Sequence, residues 1–396
     1  MFIFDLGLLS AWILVQSQFT LVLLMSLPAP LRLAVLFGGF SAEHEISLRS
    51  AREVIANLDE AKYEPLMVGI TRDGGWLGEE DSLRLLHGEN PKEEGINPFL
   101  PEGTECVFPI LHGPGGEDGK LQSWLELQGL PFIGSGSVGC ALAMDKIISK
   151  IILRHAGLPV LSWTEVDARE LKNDVINIKE KIASLRGFPC FVKPTSEGSS
   201  IGITRAETAA ELLPALEEAF RYGPRCLVEP AVHEPREFEI AILDGAEPIV
   251  SCPGEICLKD GTWYSYEEKY EKDSAELVLE PEGLHPNLIA SLRANALSAF
   301  RSLRMAGMAR VDFLYSSCSG RFWLNEVNAI PGFTSISMYP RLLIEAGIAF
   351  PEILDRLVSF AVENDAVAPE SLVASPRSDT NRCSSESLDE ASNRAP

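Results

Sequence analysis

Along the first third of the chain, short apolar runs alternate with stretches whose apolar residues fall at helical spacing. Arg32–Phe37 (RLAVLF), Pro65–Ile70 (PLMVGI), Cys106–Leu111 (CVFPIL) and Pro131–Ile133 have the length and continuity of buried strands. Behind the first run, Ile46, Ala51, Val54, Ile55 and Leu58 form a helical stripe, and Leu121–Leu130 and Ala141–Ala156 predict further helices. Strand, glycines, then helix is the start of a βαβ unit, and its repetition predicts an α/β fold on an open, mostly parallel sheet. Farther on, Pro189–Val192, Cys226–Glu229 and Phe238–Leu243 read as strands and Glu211–Phe220 as a helix. Two more strands, Ala309–Tyr315 and Arg321–Val327, flank the turn-forming Ser316–Gly320 and predict a hairpin.

The pattern fails at both ends. Met1–Pro28 is strongly apolar, yet no Lys or Arg precedes Arg32, so the basic flank of a signal peptide is missing. Its uninterrupted apolar runs are shorter than the ~20 residues that span a bilayer. A start at Met25 is the expectation. Val367–Pro396 is rich in Ser, Asp, Asn, Arg and Pro and reads as a disordered tail. A chain of 396 residues holds more than one domain with a real core. The net charge of −23 argues against a nucleic-acid or anionic-membrane partner. Eight cysteines with no CxxC pair suit reduced, cytoplasmic usage rather than a disulfide framework.

Within an acidic chain, single cations in apolar or glycine-rich settings carry information. Side chains alternate along a strand, so Arg310 and Asp312 share one face of the hairpin, as do Glu326 and Asn328 on its partner strand. Oxygen donors without His or Cys suit Mg²⁺ with substrate phosphates. A plain solvated face is the alternative, but these charges sit among Val, Phe, Leu and Trp, where an unpaired charge is costly. Glu43 and Glu45 open the first predicted helix, where they favour its dipole, and Glu43 is also placed to hold a cationic group in a cleft. His112 ends a strand run before a glycine-dense loop, as a turn residue or a ligand contact. Lys193 ends another, before the Ser/Gly stretch Ser196–Ile201, a phosphate-cradling arrangement that is not a Walker A loop. Glu229 precedes a Pro-containing connector as an acceptor for an amine, with Glu237 for ribose hydroxyls. Tyr264–Tyr270 is an aromatic, charged loop of the kind that covers sites. Gly134, Gly136 and Gly139 match GxGxxG, but no acidic residue closes a following strand. An NAD-dependent oxidoreductase built there leaves the Lys193 loop and the carboxylate hairpin unexplained.

Taken together, GGFSAEHEISL, LHGPGGEDG, MDK, FVKPTSEGSSIG, YEEKY, RVDF and NEVNAIPGFTS resemble the D-alanine–D-alanine ligases of the ATP-grasp superfamily, from about Leu31 to about Leu357. The resemblance implies a three-domain ATP-grasp architecture. Residues 31–145 would be an N-terminal α/β substrate domain, 146–232 a central ATP-grasp domain and 233–366 a catalytic domain, with an apolar leader at 1–30 and a tail at 367–396. Lys146 and Lys193 would contact ATP phosphates beneath the Ser196–Ile201 loop. Glu229 and the backbone of Ala231 and Val232 would hold adenine, and Glu237 the ribose. Asp312, Glu326 and Asn328 would carry two Mg²⁺ (or Mn²⁺) ions. The implied partners are ATP and D-alanine, with no nucleic acid, no membrane, and a homodimer as the assembly.

The implied reaction is ligation of two D-alanines through a D-alanyl phosphate, feeding peptidoglycan and so cell-wall synthesis and cell shape. Each step spreads negative charge, so it needs fixed cations and N–H donors. Glu43 would hold the first ammonium, with His112 at the same pocket. Arg310 and the Gly332 N–H would meet the tetrahedral oxyanion, and Ser337 the second carboxylate. Ser199 and Tyr270 would link to Glu43, and Lys269 would reach the transferring phosphate. Tyr270 stands where relatives that make D-alanyl–D-lactate can carry a His, which favours D-alanine as acceptor over D-lactate or another D-alanyl acceptor. A non-catalytic nucleotide-binding protein is disfavoured, because no expected catalytic position is lost.

Overall fold

The computed structural model describes residues 29–173, 175–185, 187–258 and 275–365. The leader through Pro28, the Tyr264–Tyr270 loop and the tail from residue 367 lie outside them. Among the described residues no helix is long and apolar enough to cross a membrane.

Three sheets organise the chain. Strands β1 (Leu31–Gly38), β2 (Tyr63–Ile70) and β3 (Cys106–Pro109) form a parallel sheet in the order β2-β1-β3. β1 lies in the middle, and Leu33 to Phe37 are buried on both faces, which is why that run is continuously apolar. The helix His44–Asn57 covers it with Leu48, Ala51 and Val54. A second sheet holds β4 (Thr164–Asp167), β5 (Cys190–Pro194), β6 (Thr204–Ala206) and β7 (Arg225–Pro230), antiparallel throughout in the order β4-β7-β5-β6. One face of it, with Val166, Val192 and Val228, packs on Ile178, Ile182, Leu212 and Leu216 as a separate core.

The third sheet joins β8 (Pro235–Leu243), β9 (Ile249–Val250), β10 (Gly254–Leu258), β11 (Ala275–Val278), β12 (Met308–Ser316) and β13 (Arg321–Asn328). Its middle runs β8-β12-β13, and β12–β13 is the hairpin expected from the sequence. One continuous core ties this sheet to the parallel one: Leu33, Phe37 and Phe108 share it with Phe313, Leu324, Phe333 and Tyr339. The first and third sheets are thus welded, while the second keeps its own core.

Two expectations need correction. The helix read over Ala141–Ala156 is two helices, Ser137–Met144 and Lys146–His155. Asp145 caps the second, its carboxylate accepting from the N–H groups of Ile147 and Ile148 at 3.0 Å, and this local satisfaction competes with a continuous helix. The Pro131–Ile133 run makes only a bridge, Val107 to Phe132, beside β3. Two glycines of the GxGxxG match serve close packing: a Cβ on Gly139 would lie 2.6 Å from the Arg304 carbonyl oxygen and one on Gly136 2.9 Å from Glu126 Oε1.

Candidate active site

The hairpin builds one wall. In register, Asp312 on β12 stands opposite Glu326 on β13 and Glu239 on β8, and Arg310 stands opposite Asn328. Residues directly opposite on antiparallel strands share a face, so three carboxylates, an amide and a guanidinium occupy one surface. Arg310 donates to both oxygens of Asp312 (2.8 and 2.7 Å), and its Nε lies 3.1 Å from Glu239. Asn328 donates to Asp312 at 3.0 Å. Although burial works against its charge, Asp312 and then Glu239 hold the Arg310 guanidinium well above the usual arginine value. A register shift after Asp312 leaves Asn325 as an extra residue on β13. Its amide oxygen accepts from Lys193 at 3.2 Å, which joins the second sheet to the hairpin.

The second wall is the polar face of that sheet. Val192 and Val228 face its core, so Lys193 and Glu229, one position along, face the cleft. Glu229 is 1% exposed and shared by two cations: Lys193 contacts Oε1, and Lys150 lies 2.9 Å from Oε2. Against the effect of burial, Lys150 and Lys193 pull the Glu229 carboxyl down to about 2. Burial lowers the Lys150 ammonium. It acts the same way on Lys193, but Glu229 wins there and raises it. Ala231 and Val232 follow directly, and the Ala231 N–H donates to the Pro189 carbonyl (2.9 Å). Contact with a base at this connector would therefore run through the Ala231 carbonyl and Val232. Glu237 lies one rung from Glu239 on the hairpin side of β8, opposite Leu314, near enough for its charge to act on Lys193.

A loop closes over these groups. Lys146 donates from its backbone to Thr195 (2.9 Å) and from Nζ to the Glu197 carbonyl. Ser199 and Ser200 both adopt positive φ, 48° and 61°, a conformation costly for serine. The Ser199 hydroxyl donates to Glu43. Glu43, 8% exposed, precedes the helix His44–Asn57, and two glycines grip it. A Cβ on Gly113 would lie 2.6 Å from its Oε2, and one on Gly198 2.8 Å.

Behind Glu43 lies His112, with two residues that sequence reasoning passed over, Glu117 and Ser50. Glu117 accepts from Gly113 N–H (2.8 Å) and from Ile330 N–H (3.0 Å). Burial and then the charge of Glu43 push its carboxyl up to about 8. His112 Nδ1 pairs with the Ile330 carbonyl (2.9 Å) and Nε2 with Ser50 Oγ (3.2 Å), while Ser50 Oγ accepts from Phe333 N–H (3.2 Å). These partners require the Nδ1–H tautomer, with the Ser50 hydroxyl donating to Nε2. Burial holds the ring below the usual histidine value, in keeping with a neutral imidazole. The loop so pinned carries Gly332, and a Cβ there would lie 2.7 Å from Ser337 Oγ. Ser337 heads the helix Met338–Glu345, and its hydroxyl pairs with Thr334 Oγ1 (2.7 Å) and accepts from Thr334 N–H (3.1 Å). Lys269 and Tyr270 lie outside the described residues. Glu117 was legible as the acidic residue inside the glycine loop after His112, and Lys150 as the i+4 neighbour of Lys146. Glu239 gave no signal beyond alternation along β8.

Asp312, Glu326 and Asn328 offer hard oxygen donors with no nitrogen or sulfur ligand, which fits Mg²⁺ or Mn²⁺. Among the described residues no group of three His, Cys, Asp or Glu is placed to hold a metal by itself. The donor set is two carboxylates and an amide, the incomplete shell that Mg²⁺ fills with phosphate oxygens and water.

Comparison with known proteins agrees along the chain. The family model described as D-ala D-ala ligase N-terminus matches residues 32–135, and that described as D-ala D-ala ligase C-terminus matches 152–359. The chain is 41% identical over 353 residues to a D-alanine–D-alanine ligase of Thermoanaerobacter pseudethanolicus, covering 84% of this chain and 97% of that one. It is 41% identical over 337 residues to one from Deinococcus radiodurans, covering 84% and 98%. Among solved structures, the D-alanine–D-alanine ligase from Coxiella burnetii superposes with a TM-score of 0.73 at 32% identity, covering 86% and 96%. A D-Ala:D-Ser ligase from Enterococcus faecalis superposes equally, 0.73 at 32%, covering 84% and 99%. Family models over residues 32–135 and 152–359, and relatives 41% identical over 84% of the chain, make this chain a member of the D-alanine–D-alanine ligase family, with its ATP-grasp fold.

Proposed function

We propose that the protein joins two D-alanines to D-alanyl-D-alanine at the expense of ATP, through a D-alanyl phosphate, for peptidoglycan precursor synthesis. The observation that carries the reading is convergence. Lys193 reaches the hairpin at Asn325, Ser199 reaches Glu43, and Ile330 reaches both His112 and Glu117, so four stretches far apart along the chain are tied together.

Lys193 and Lys146 meet the ATP phosphates, the loop around Ser199 closes over them, and the base lies against Glu229, Ala231 and Val232 with the ribose at Glu237. Asp312, Glu326 and Asn328 would hold the divalent ions, whose positive charge would offset the negative charge of the phosphates. Glu43 holds the ammonium of the first D-alanine and leaves its carboxylate to attack the γ-phosphorus, which gives D-alanyl phosphate as ADP leaves. The amine of the second D-alanine then attacks the acyl carbon; the acyl–oxygen bond to the phosphoryl group breaks, and inorganic phosphate leaves with the proton that the amine gives up. Arg310 and the Gly332 N–H receive the negative charge that develops on the carbonyl oxygen. Ser337, at a helix N-terminus, receives the second carboxylate. Lys269 and Tyr270 belong to the same reading, on the transferring phosphate and on Glu43. Loop closure keeps water from the acyl phosphate. We assign the protein to the cytoplasm and to a homodimer.

The likeness to a D-Ala:D-Ser ligase keeps the acceptor open to test. Full-length protein with ATP and Mg²⁺ is given D-alanine alone, L-alanine, or D-alanine with D-serine or D-lactate, and ADP release and product masses are recorded. D-Alanyl-D-alanine as the main product bears out the reading. A mixed product in preference to it shifts the acceptor, and ADP release indifferent to D-alanine contradicts it.

A further inference from the structure

Lys150 has no part in the reading above, yet it is 3% exposed and reaches the cleft face of the second sheet from the helix Lys146–His155. Its neighbour there is Glu229, itself 1% exposed, whose other oxygen Lys193 engages. Two ammonium groups thus share one buried carboxylate, a cluster with one positive charge to spare. The two contacts differ. Lys150 Nζ stands 2.9 Å from Glu229 Oε2, but neither atom has an aligned hydrogen-bond partner among the described residues. Lys193 divides its ammonium between Glu229 and Asn325 Oδ1 at the edge of the hairpin.

We propose that Lys150 is a positioning residue for ATP binding: it keeps Glu229 compensated so that Lys193 can pass to the nucleotide phosphates. The proposal rests on the assignment of Lys193 to those phosphates. A buried carboxylate stripped of its only cation is strongly unfavourable. Without Lys150, every move of Lys193 toward a phosphate would strip Glu229, and ATP binding would have to meet that cost. With Lys150 present, the ion pair that is misaligned tightens as Lys193 leaves. Lys150 thereby sets nucleotide affinity without touching the nucleotide, and the spare positive charge of the cluster becomes the charge offered to the phosphates. The same helix face explains why its two lysines divide the work. Lys146, one turn earlier, donates to the Glu197 carbonyl of the covering loop, while Lys150 faces the sheet.

The test uses the full chain and reads the Kd for Mg²⁺–ATP by calorimetry, with the KM for D-alanine and the Tm alongside. Lys150→Met raises the Kd for ATP by roughly tenfold or more and leaves the KM for D-alanine within about threefold. Because Glu229 also lies against the base, Glu229→Gln alone is the reference: with no carboxylate left to strip, Lys150→Met/Glu229→Gln binds ATP within about threefold of Glu229→Gln. A merely structural role predicts that Lys150→Met weakens ATP binding as much in the Glu229→Gln background as in wild type, and that both substrates weaken together. Wild-type ATP affinity in Lys150→Met overturns the proposal, as does a double variant that binds about tenfold or more weaker than Glu229→Gln. If Lys150→Met does not fold, the double variant, with no lone buried charge, carries the comparison. ATP affinity within about threefold of Glu229→Gln then supports the proposal, and weaker binding overturns it. Wild-type protein that fails to bind Mg²⁺–ATP at all overturns the nucleotide reading itself, before any variant is compared.

Discussion

Arg310 works in a crowd of carboxylates. It is tied to Asp312 by two hydrogen bonds and to Glu239 by an ion pair, so two anchors orient it whichever way Asp312 turns. Arg310→Ala is expected to lower kcat by roughly 10²–10³-fold, the scale of losing one oxyanion donor, with little change in the Kd for ATP. Glu239→Gln keeps the shape but loses the charge that fixes the guanidinium, and a smaller fall in kcat is expected, seen in the same assay. Two buried carboxyls titrate in opposite senses. Glu229 has a folded value near 2, below its usual 4.5, so its contribution to stability is present above pH 4.5 and lost as the pH falls toward 2. Glu117 is raised from 4.5 to about 8, so its contribution is full below 4.5 and is lost as the pH rises through 8. Unfolding followed across pH is expected to lose its acid dependence in that window in Glu229→Gln and its alkaline dependence in Glu117→Gln. If Glu117→Gln unfolds with the wild-type alkaline profile, the burial argument for Glu117 is wrong.

At the scale of elements, the hairpin was legible because alternation alone places Arg310, Asp312, Glu326 and Asn328 on shared faces. The register then sets Asp312 against Glu326, as a period of two requires. What alternation does not carry is the bulge that turns Asn325 toward Lys193, since an unpaired residue leaves the pattern of apolar positions almost unchanged. Nor does periodicity reveal the break at Asp145, because the apolar stripe runs on through both helices. Only the capping chemistry of Asp145 marks it. Asp145→Ala is expected to cost about 1 kcal/mol of stability and to misplace Lys146, raising the KM for ATP in steady-state assays. Gly198→Ala would set a methyl group 2.8 Å from Glu43 Oε2. It is expected to raise the KM for D-alanine at the first site several-fold, with the Kd for ATP nearly unchanged.

The whole molecule divides unequally. A shared core binds the parallel sheet to the third sheet, and the second sheet stands on a core of its own. Polar contacts cross from the second sheet and its loop into the rest of the site, among them Lys193 to Asn325, Ser199 to Glu43 and Glu229 to Lys150. Polar links of this kind open at lower cost than a packed core, which suits a part that admits ATP and closes over it. The loop from Ile330 to Phe333, by contrast, is locked to His112, Ser50 and Glu117. These long-range links were invisible in the sequence because they join residues far apart along the chain.

The proposed chemistry turns on an acyl phosphate, and isotope transfer tests it most directly. D-Alanine carrying heavy oxygen in its carboxylate is turned over with ATP and Mg²⁺, and both the dipeptide and the released phosphate are weighed. Attack on the γ-phosphorus followed by displacement at carbon carries one labelled oxygen into inorganic phosphate for each D-alanyl-D-alanine formed. Dipeptide formed with unlabelled phosphate would contradict a mechanism that passes through D-alanyl phosphate.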